Sequence, residues 1–193
     1  MKLIGFYDYT VILTYLSLVS SVFGMSRAIH GDYKLAIFCL AFSGICDAFD
    51  GRVARTKKNR TEDEKNFGIQ LDSLCDVVSF GIFPAFLLHC MGVKGPLGMV
   101  ILCFYCICGV IRLGFFNVME AKRQQVETGC GKEYRGLPIT SMSMVLPLVY
   151  LLRLILPGKV FRWLLYILPA LVGFLFILDF RVKKPNLAKL FSK

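Results

Sequence analysis

The sequence predicts an all-α integral membrane protein, a bundle of six transmembrane helices. Of its 193 residues 56% are hydrophobic, which exceeds the roughly 45–50% of soluble domains. The apolar residues also fall in runs of about 20, the length of helix that crosses the hydrocarbon core. An open strand could not satisfy its backbone in lipid, and the alternation typical of barrel strands is absent. The length favours a single domain over residues 1–193.

Six apolar runs account for the six predicted spans. In chain order they are Thr10–Ile29, Tyr33–Arg55, Phe67–Met91, Pro96–Val118, Pro138–Leu156 and Phe161–Phe180. No small-residue cleavage site follows the first run, so we expect it to be retained as a span. Before it, residues 1–9 are amphipathic and aromatic, as in an interfacial segment or a frayed terminus. Residues 181–193 form a basic tail.

The basic residues predict the orientation of the bundle. Most of the 23 Lys and Arg residues precede the first span, follow the last, or lie between the second and third or the fourth and fifth spans. By the positive-inside rule, both termini of this multi-pass protein of the cell membrane face the cytoplasm. The same distribution explains the net charge of +10. Nucleic-acid binding is not expected, because no interleaving of aromatic and basic residues suggests base stacking.

The eight cysteines predict neither a zinc site nor a disulfide framework. Cys103, Cys106 and Cys108 lie inside an apolar run, and no second pair or nearby histidine completes a tetrahedral ligand set. The two histidines, His30 and His89, lie toward the far ends of their spans. We therefore expect the cysteines to be small apolar residues of helices.

Four aspartates are the most informative feature of the sequence. Asp47 and Asp50 come near the end of the second span, and Asp72 and Asp76 near the start of the third. An ionised carboxylate in hydrocarbon is costly unless it is paired, metal-bound or hydrated. At about 100° per residue, each pair shares one helix face. Because the two spans are antiparallel neighbours joined by a short loop, the four carboxylates should converge near the cytoplasmic side.

The surroundings of the aspartates favour divalent cations and a phosphorylated ligand. Convergent carboxylates repel unless cations hold them, and oxygen ligands suit Mg²⁺ or Mn²⁺. The spacing D-A-F-D-G does not fit a calcium-binding EF-hand loop. Gly51, Ala54 and Gly68 leave room for a ligand beside the helix backbone, and Arg55 could pair with a phosphate. We expect a site for two cations beside a groove for the ligand.

The pattern D-x-x-D-G-x-x-A-R…G-x-x-x-D-x-x-x-D, over residues 47–76, resembles the signature of the CDP-alcohol phosphotransferase family. The family usually has eight residues between its arginine and second glycine, whereas this chain has twelve. The additional charged residues, within Lys57–Lys65, are predicted to lengthen a cytoplasmic loop.

The resemblance implies roles for the matching residues. Asp47, Asp50 and Asp72 look like ligands of two Mg²⁺ or Mn²⁺ ions, and Asp76 looks like a further ligand or the general base. The residues that it implies for CDP binding are Gly51, Ala54, Arg55 and Gly68, together with Thr14 and Ser17 of the first span. For the two hydroxyl residues, packing between helices is the alternative interpretation.

Further stretches resemble the phosphatidylserine synthases of this family. They are S-F-G-I-F-P-A over residues 79–85, R-L-G-F-F-N-V over residues 112–118 and Y-R-G-L-P over residues 134–138. The resemblance implies that CDP-diacylglycerol and L-serine react to give phosphatidylserine and CMP. Gly114 and Phe115 depart from the alanine and arginine of those synthases.

The resemblance also suggests how the acceptor binds. Arg112, Asn117 and Arg135 are the candidate acceptor-binding residues, because the carboxylate of serine needs a cation or a dipole. A second interpretation of Arg112 is that it balances the excess acid of the neighbouring spans.

Two other functions stay open on the sequence alone. A sibling transferase could use glycerol 3-phosphate or inositol phosphate as acceptor, which would require additional cations. A cation channel or transporter could use the aspartates as an ion path, although a pore does not require the spacing of Gly51, Ala54 and Gly68. Membrane lipids are expected partners, and the family resemblance implies a homodimer.

Overall fold

The computed structural model describes residues 5–54, 56–57, 61–125, 134–179 and 181–182 of the chain. It is a bundle of helices, as the sequence predicts. They are α1 (Ile12–Ile29), α2 (Tyr33–Ala54), α3 (Glu62–Asp76), α4 (Phe83–Met91), α5 (Gly95–Gln125), α6 (Met142–Leu151) and α7 (Gly158–Ile177). Short 3₁₀ turns at Tyr9–Val11, Ile139–Ser141 and Leu152–Leu154 extend α1 and α6. Two-residue strands, β1 (Tyr134–Arg135) and β2 (Arg181–Val182), pair antiparallel.

In the described part of the chain, four helices are long and apolar enough to cross a membrane, as expected of a multi-pass membrane protein. They cover Tyr9–Ile29, Glu62–Met91, Gly95–Met119 and Gly158–Ile177. Helix α2 has 22 residues but carries two aspartates and two basic residues, and Ile139–Leu154 is apolar but shorter. The prediction of six spans therefore stays a prediction for these two helices. The single-domain organisation also stays a prediction.

Helix α3 begins at Glu62, earlier than the predicted start at Phe67. The reason is a capping box, in which the Glu64 amide donates to Thr61 Oγ1 over 3.2 Å and the Thr61 amide donates to Glu64 Oε2 over 3.0 Å. These two hydrogen bonds give partners to backbone N–H groups that otherwise have none at the start of a helix. The prediction that Lys57–Lys65 forms a loop is therefore wrong for its second half, which is helical.

A π-helical segment, Val77–Ile82, joins α3 to α4 within one continuous helix. The wider turn changes the backbone hydrogen-bond pattern, and side chains of α5 lie against it. The buried hydroxyl of Tyr105 donates to the Phe80 carbonyl, and the Cys106 thiol lies 3.7 Å from the Gly81 carbonyl. Helix α5 therefore secures the segment that directly follows Asp76.

Small and hydroxyl residues bring α1 close to its neighbours. The Ser43 hydroxyl of α2 donates to the Ser17 carbonyl of α1 over 3.0 Å, and it lies 3.0 Å from the Ser21 hydroxyl. At Gly24, an added Cβ would lie 2.9 Å from Cys39 Cβ and against the ring of Phe83. Such close packing through small residues is how membrane helices associate without a hydrophobic driving force.

The segment before α1 is tied to the connection between α2 and α3. Lys57 Nζ donates to Asp8 over 2.8 Å and to Glu64 over 3.1 Å. The ring of Phe6 packs edge-on against Phe67, with ring centroids 5.5 Å apart. Residues 1–4 lie outside the described part, so the predicted interfacial segment is untested there. Of the predicted tail, only residues 181–182 are described.

Candidate functional site

The four aspartates meet where α2 ends and α3 runs beside it. One carboxylate oxygen from each of Asp47, Asp50 and Asp72 lies within 4.8 Å of the others. Asp76 lies one turn further along α3 and is close enough to Asp47 for their charges to interact, as Asp72 is to Asp50. The convergence that helix geometry predicts is therefore present, whereas the roles of the four residues stay predictions.

The cluster has the donor chemistry of a site for a hard cation. All the candidate ligands are carboxylate oxygens, which Mg²⁺ and Mn²⁺ prefer to nitrogen or sulfur. The Oδ1 atom of Asp72 is buried and has no hydrogen-bond partner in the described part of the chain. A buried acceptor without a partner is unfavourable unless a cation or water meets it. The cluster could therefore bind a metal ion.

Helix α1 supplies hydroxyl groups beside the cluster. Thr14 Oγ1 donates to Asp50 Oδ2 over 3.4 Å, so Thr14 lies at the carboxylates. Ser17 is one turn away, buried, and its hydroxyl donates over 3.4 Å to Ser79 in the π-helical segment. This contact joins α1 to the π-helical segment, and the predicted role of Ser17 stays a prediction.

The surface of α2 is open at Gly51, which directly follows Asp50. A Cβ added at Gly51 would meet no atom of the described residues within 4 Å, and Gly51 is exposed. Ala54, one turn further along α2, and Gly68 on α3 are half-buried. Arg55 lies outside the described residues. Of these small residues, Gly51 thus borders free space, and it directly follows Asp50 in the sequence.

Helix α5 reaches the cluster through Asn117. Its Nδ2 atom donates to Ser73 Oγ over 2.9 Å, and Ser73 directly follows Asp72 in the sequence. Ser73 was not singled out from the sequence, because a lone serine in an apolar helix carries no signal of its own. The amide of Asn117 therefore contacts α3 next to a candidate metal ligand.

Arg112 lies in a cleft between α5 and the end of α7. The side chain is 9% exposed, and its Nε donates to the Leu137 carbonyl over 3.0 Å. The cleft has a volume of about 230 Å³, and Phe115, Gly136 and Asp179 also line it. Arg112 therefore has an acidic neighbour on the α7 side. Arg135 belongs to β1, opposite Arg181, and its side chain lies outside the described part.

Several residues of this region escaped the sequence analysis. Tyr105 and Ser79 support the π-helical segment, and Asp8 and Lys57 tie the start of the chain to α3. Their partners are distant in the sequence, so no local pattern marks them. The capping box at Thr61 did have a signal, the sequence T-E-D-E, which is typical of a helix start.

Taken together, the helical bundle and the carboxylate cluster define a multi-pass membrane protein with a candidate metal site. The model of the CDP-alcohol phosphatidyltransferase family matches residues 9–176. The chain belongs to this family, whose members use divalent metals. The resemblance in the motif is thus confirmed over most of the chain.

Three relatives show how far the similarity extends. The CDP-diacylglycerol–serine O-phosphatidyltransferase of Saccharomyces cerevisiae is 41% identical over 113 residues, 57% of this chain and 40% of the relative. The archaetidylserine synthase of Methanothermobacter thermautotrophicus is 32% identical over 158 residues, 78% of this chain and 60% of the relative. The CDP-diacylglycerol–serine O-phosphatidyltransferase of Helicobacter pylori is 33% identical over 139 residues, 69% of this chain and 54% of the relative.

The matches thus span about half the length of these relatives. No solved structure matches the chain significantly.

Proposed function

We propose that the protein transfers the phosphatidyl group of CDP-diacylglycerol to L-serine, giving phosphatidylserine and CMP. The observation that carries this proposal is the convergence of Asp47, Asp50 and Asp72 on two neighbouring helices. Asp76 lies one turn further along α3 from Asp72, and its charge interacts with that of Asp47. The names of the relatives, which are serine-using or archaetidylserine-forming transferases, support serine as the acceptor.

The membrane arrangement that suits this function has six spans with both termini in the cytoplasm. Helix α2 has the length of a span, and its acidic end would face an aqueous site rather than lipid. The apolar stretch Ile139–Leu154 would complete the six. Because most basic residues then face the cytoplasm, the carboxylates lie near the cytoplasmic surface of the cell membrane, where serine and CMP are soluble.

Two Mg²⁺ or Mn²⁺ ions would be held by Asp47, Asp50, Asp72 and Asp76. When bound, the ions would neutralise the diphosphate and the charge that develops on the transferred group. The unpartnered Oδ1 atom of Asp72 supports this assignment.

Asp76 is the residue that we assign to proton transfer. It is 9% exposed, which makes it the most buried of the four aspartates, and its charge interacts with that of Asp47. The serine hydroxyl attacks the β-phosphorus of CDP-diacylglycerol, and its proton passes to the Asp76 carboxylate. The bond between the β-phosphorus and the bridging oxygen breaks, and CMP leaves with that oxygen. A positioned general base of this kind typically contributes about 10²–10⁴-fold to the rate.

The CDP moiety would lie along the open side of α2. Gly51 has free space beside its backbone among the described residues, and Ala54 and Gly68 are half-buried. Thr14 would orient Asp50 or contact the nucleotide from α1. Arg55 and Ser17 complete the proposed set of CDP-binding residues.

For the acceptor we propose Arg112, Asn117 and Arg135. Serine is a zwitterion, and Arg112 shares its cleft with the acidic residue Asp179. Glycerol 3-phosphate and inositol phosphate carry a dianionic phosphate, which Asp179 would repel. The charges of the cleft therefore favour a zwitterionic acceptor.

Competition between labelled acceptors tests the substrate directly. Purified protein would receive CDP-diacylglycerol and equal amounts of labelled serine, glycerol 3-phosphate and inositol phosphate. We expect label from serine alone in the lipid fraction, with one CMP released for each phosphatidylserine formed. Label from a phosphorylated acceptor would identify the sibling activity, and ion flux into vesicles without CMP release would identify a channel or transporter.

A further inference from the structure

The end of the bundle opposite to the aspartates carries a cleft that the proposed reaction does not use. Tyr33, the first residue of α2, lines it, together with residues of α4, α7 and the connection between α6 and α7. At 1.5 Å per residue, Asp47 lies about 21 Å further along α2. The cleft is therefore separate from the carboxylate cluster and lies at the opposite end of α2.

Basic groups converge on this cleft. Arg153 and Arg162 line it, and so does Gly158, the first residue of α7. The first backbone N–H groups of a helix have no partner within the helix, and they carry a partial positive charge. Among the described residues, no acidic side chain lines the cleft. The nearby carboxylate of Asp32 is paired with Arg27 over 3.1 Å.

The guanidinium of Arg153 is held in place by an aromatic neighbour. It lies 5.8 Å from the centre of the Tyr150 ring, and its Nη1 donates to the Tyr150 hydroxyl over 3.3 Å. These contacts leave further donors of the guanidinium for another acceptor, since arginine has five N–H groups. Two arginines and a helix start thus offer several donors to one anion.

The size of the cleft limits what it can hold. Its volume is about 180 Å³, which is below the roughly 300–1,000 Å³ of pockets that enclose a whole small-molecule ligand. A phosphate group suits this space, and the rest of its molecule would lie outside. Arginine pairs with phosphate oxygens through parallel hydrogen bonds, which adds directional specificity to the charge attraction.

The surroundings of the cleft indicate that the phosphate belongs to a lipid. Leu154 and Ile155, which follow Arg153, are 85% and 80% exposed, and Trp163, which follows Arg162, is 67% exposed. The ring of Trp163 lies 6.5 Å from that of Tyr166, whose hydroxyl accepts from the Lys94 amide over 3.0 Å at the turn between α4 and α5. An exposed aromatic pair at helix ends is typical of the membrane–water interface. The acyl chains of a lipid would pack against these exposed apolar residues, whereas a free phosphate ion has no acyl chain to do so.

We propose that this cleft binds the phosphate of an anionic glycerophospholipid in the leaflet opposite to the carboxylate cluster. The guanidinium groups of Arg153 and Arg162 and the start of α7 contact the phosphate oxygens. The acyl chains lie against the exposed apolar residues nearby. This site does not depend on the proposed transferase function.

Lipid binding to the purified full chain tests this proposal. Native mass spectrometry would count phosphatidylglycerol and phosphatidylcholine molecules bound to the protein in detergent, at equal lipid concentrations. We expect a preference for phosphatidylglycerol that falls about fivefold for each arginine replaced, in the variants Arg162→Gln and Arg153→Gln/Arg162→Gln. Arg162 is exposed, so its single replacement keeps the test available even if the double variant folds poorly.

Two controls make the outcome specific. Lys94→Gln removes a cation at the same end that does not line the cleft, and it should keep the preference. Excess inorganic phosphate should leave the lipid bound, because it lacks the acyl chains. Equal binding of the two lipids, an unchanged preference in Arg162→Gln, or displacement of the lipid by inorganic phosphate would each overturn the proposal.

Discussion

The hydroxyl of Tyr105 donates to the carbonyl of Phe80, four residues after Asp76 in the π-helical segment. Both residues are fully buried. The bond joins α5 to the part of the α3–α4 helix that continues directly from the carboxylate cluster. Helix α5 therefore helps to determine where the second pair of aspartates lies.

Replacing Tyr105 with phenylalanine should destabilise the protein. The change leaves the Phe80 carbonyl buried without its partner, which costs about 1–3 kcal/mol. Thermal unfolding in detergent would show a lower midpoint. Tyr9→Phe is the matched control, because it removes an exposed bond of 3.1 Å to Thr56 and should change stability less. Equal midpoints for the two variants would contradict this account of the π-helical segment.

Two glycines should respond in opposite ways to alanine. At Gly24 a Cβ would press on Cys39 and Phe83, so we expect Gly24→Ala to lower stability by about 1–3 kcal/mol. At Gly51 nothing lies within 4 Å, and alanine favours the helix by about 0.5–1 kcal/mol. Gly51→Ala should therefore fold at least as well, yet lose turnover, because the methyl group enters the proposed CDP groove. Full activity in a stable Gly51→Ala variant would remove Gly51 from the site.

The pair of Asp8 and Lys57 should stabilise the protein over a wide pH range. The hydrogen bond from Lys57 lowers the pKa of Asp8 from 3.8 to about 2, and the same contact raises the pKa of Lys57. The contribution of Asp8 is present above about pH 4 and is lost as the pH falls through its lowered pKa. The contribution of Lys57 to stability is lost only when the pH rises through the raised pKa of Lys57.

A double-mutant cycle would measure this contact. With Asp8→Asn, Lys57→Met and the double variant, we expect a small favourable coupling, because solvent screens a pair at the surface. The coupling should be the same at pH 6 and pH 8, since neither group titrates between them. A coupling that disappears within this range would mean that the contact is not an ion pair.

Asn117 and Ser73 should act as a unit. The amide of Asn117 bonds to the Ser73 hydroxyl next to Asp72, so either alanine replacement removes the same contact. We expect each single variant to raise the KM for serine by a similar factor, and the double variant to add little to it. Additive effects would show that Asn117 contacts the acceptor without the help of Ser73.

Much of this arrangement follows from local sequence, and the rest depends on packing. The aspartates converge because helix periodicity places each pair on one helix face. The short connection between α2 and α3 then places the two pairs at a similar depth in the bundle. The early start of α3 was also readable from Thr61 and Glu64, but the charged residues there resembled a loop. The contact of Tyr105 with Phe80 joins helices distant in the sequence, and periodicity does not select such a pair.

The most direct test of the account is metal-dependent release of CMP. Purified protein with CDP-diacylglycerol and serine should release CMP only when Mg²⁺ or Mn²⁺ is present. Asp76→Asn should lower the rate by about 10²–10⁴-fold, whereas Asp63→Asn, an exposed acid on the same helix, should leave it unchanged. Full turnover by Asp76→Asn, or equal turnover after removal of all divalent cations, would contradict the assignment of the carboxylate cluster as the active site.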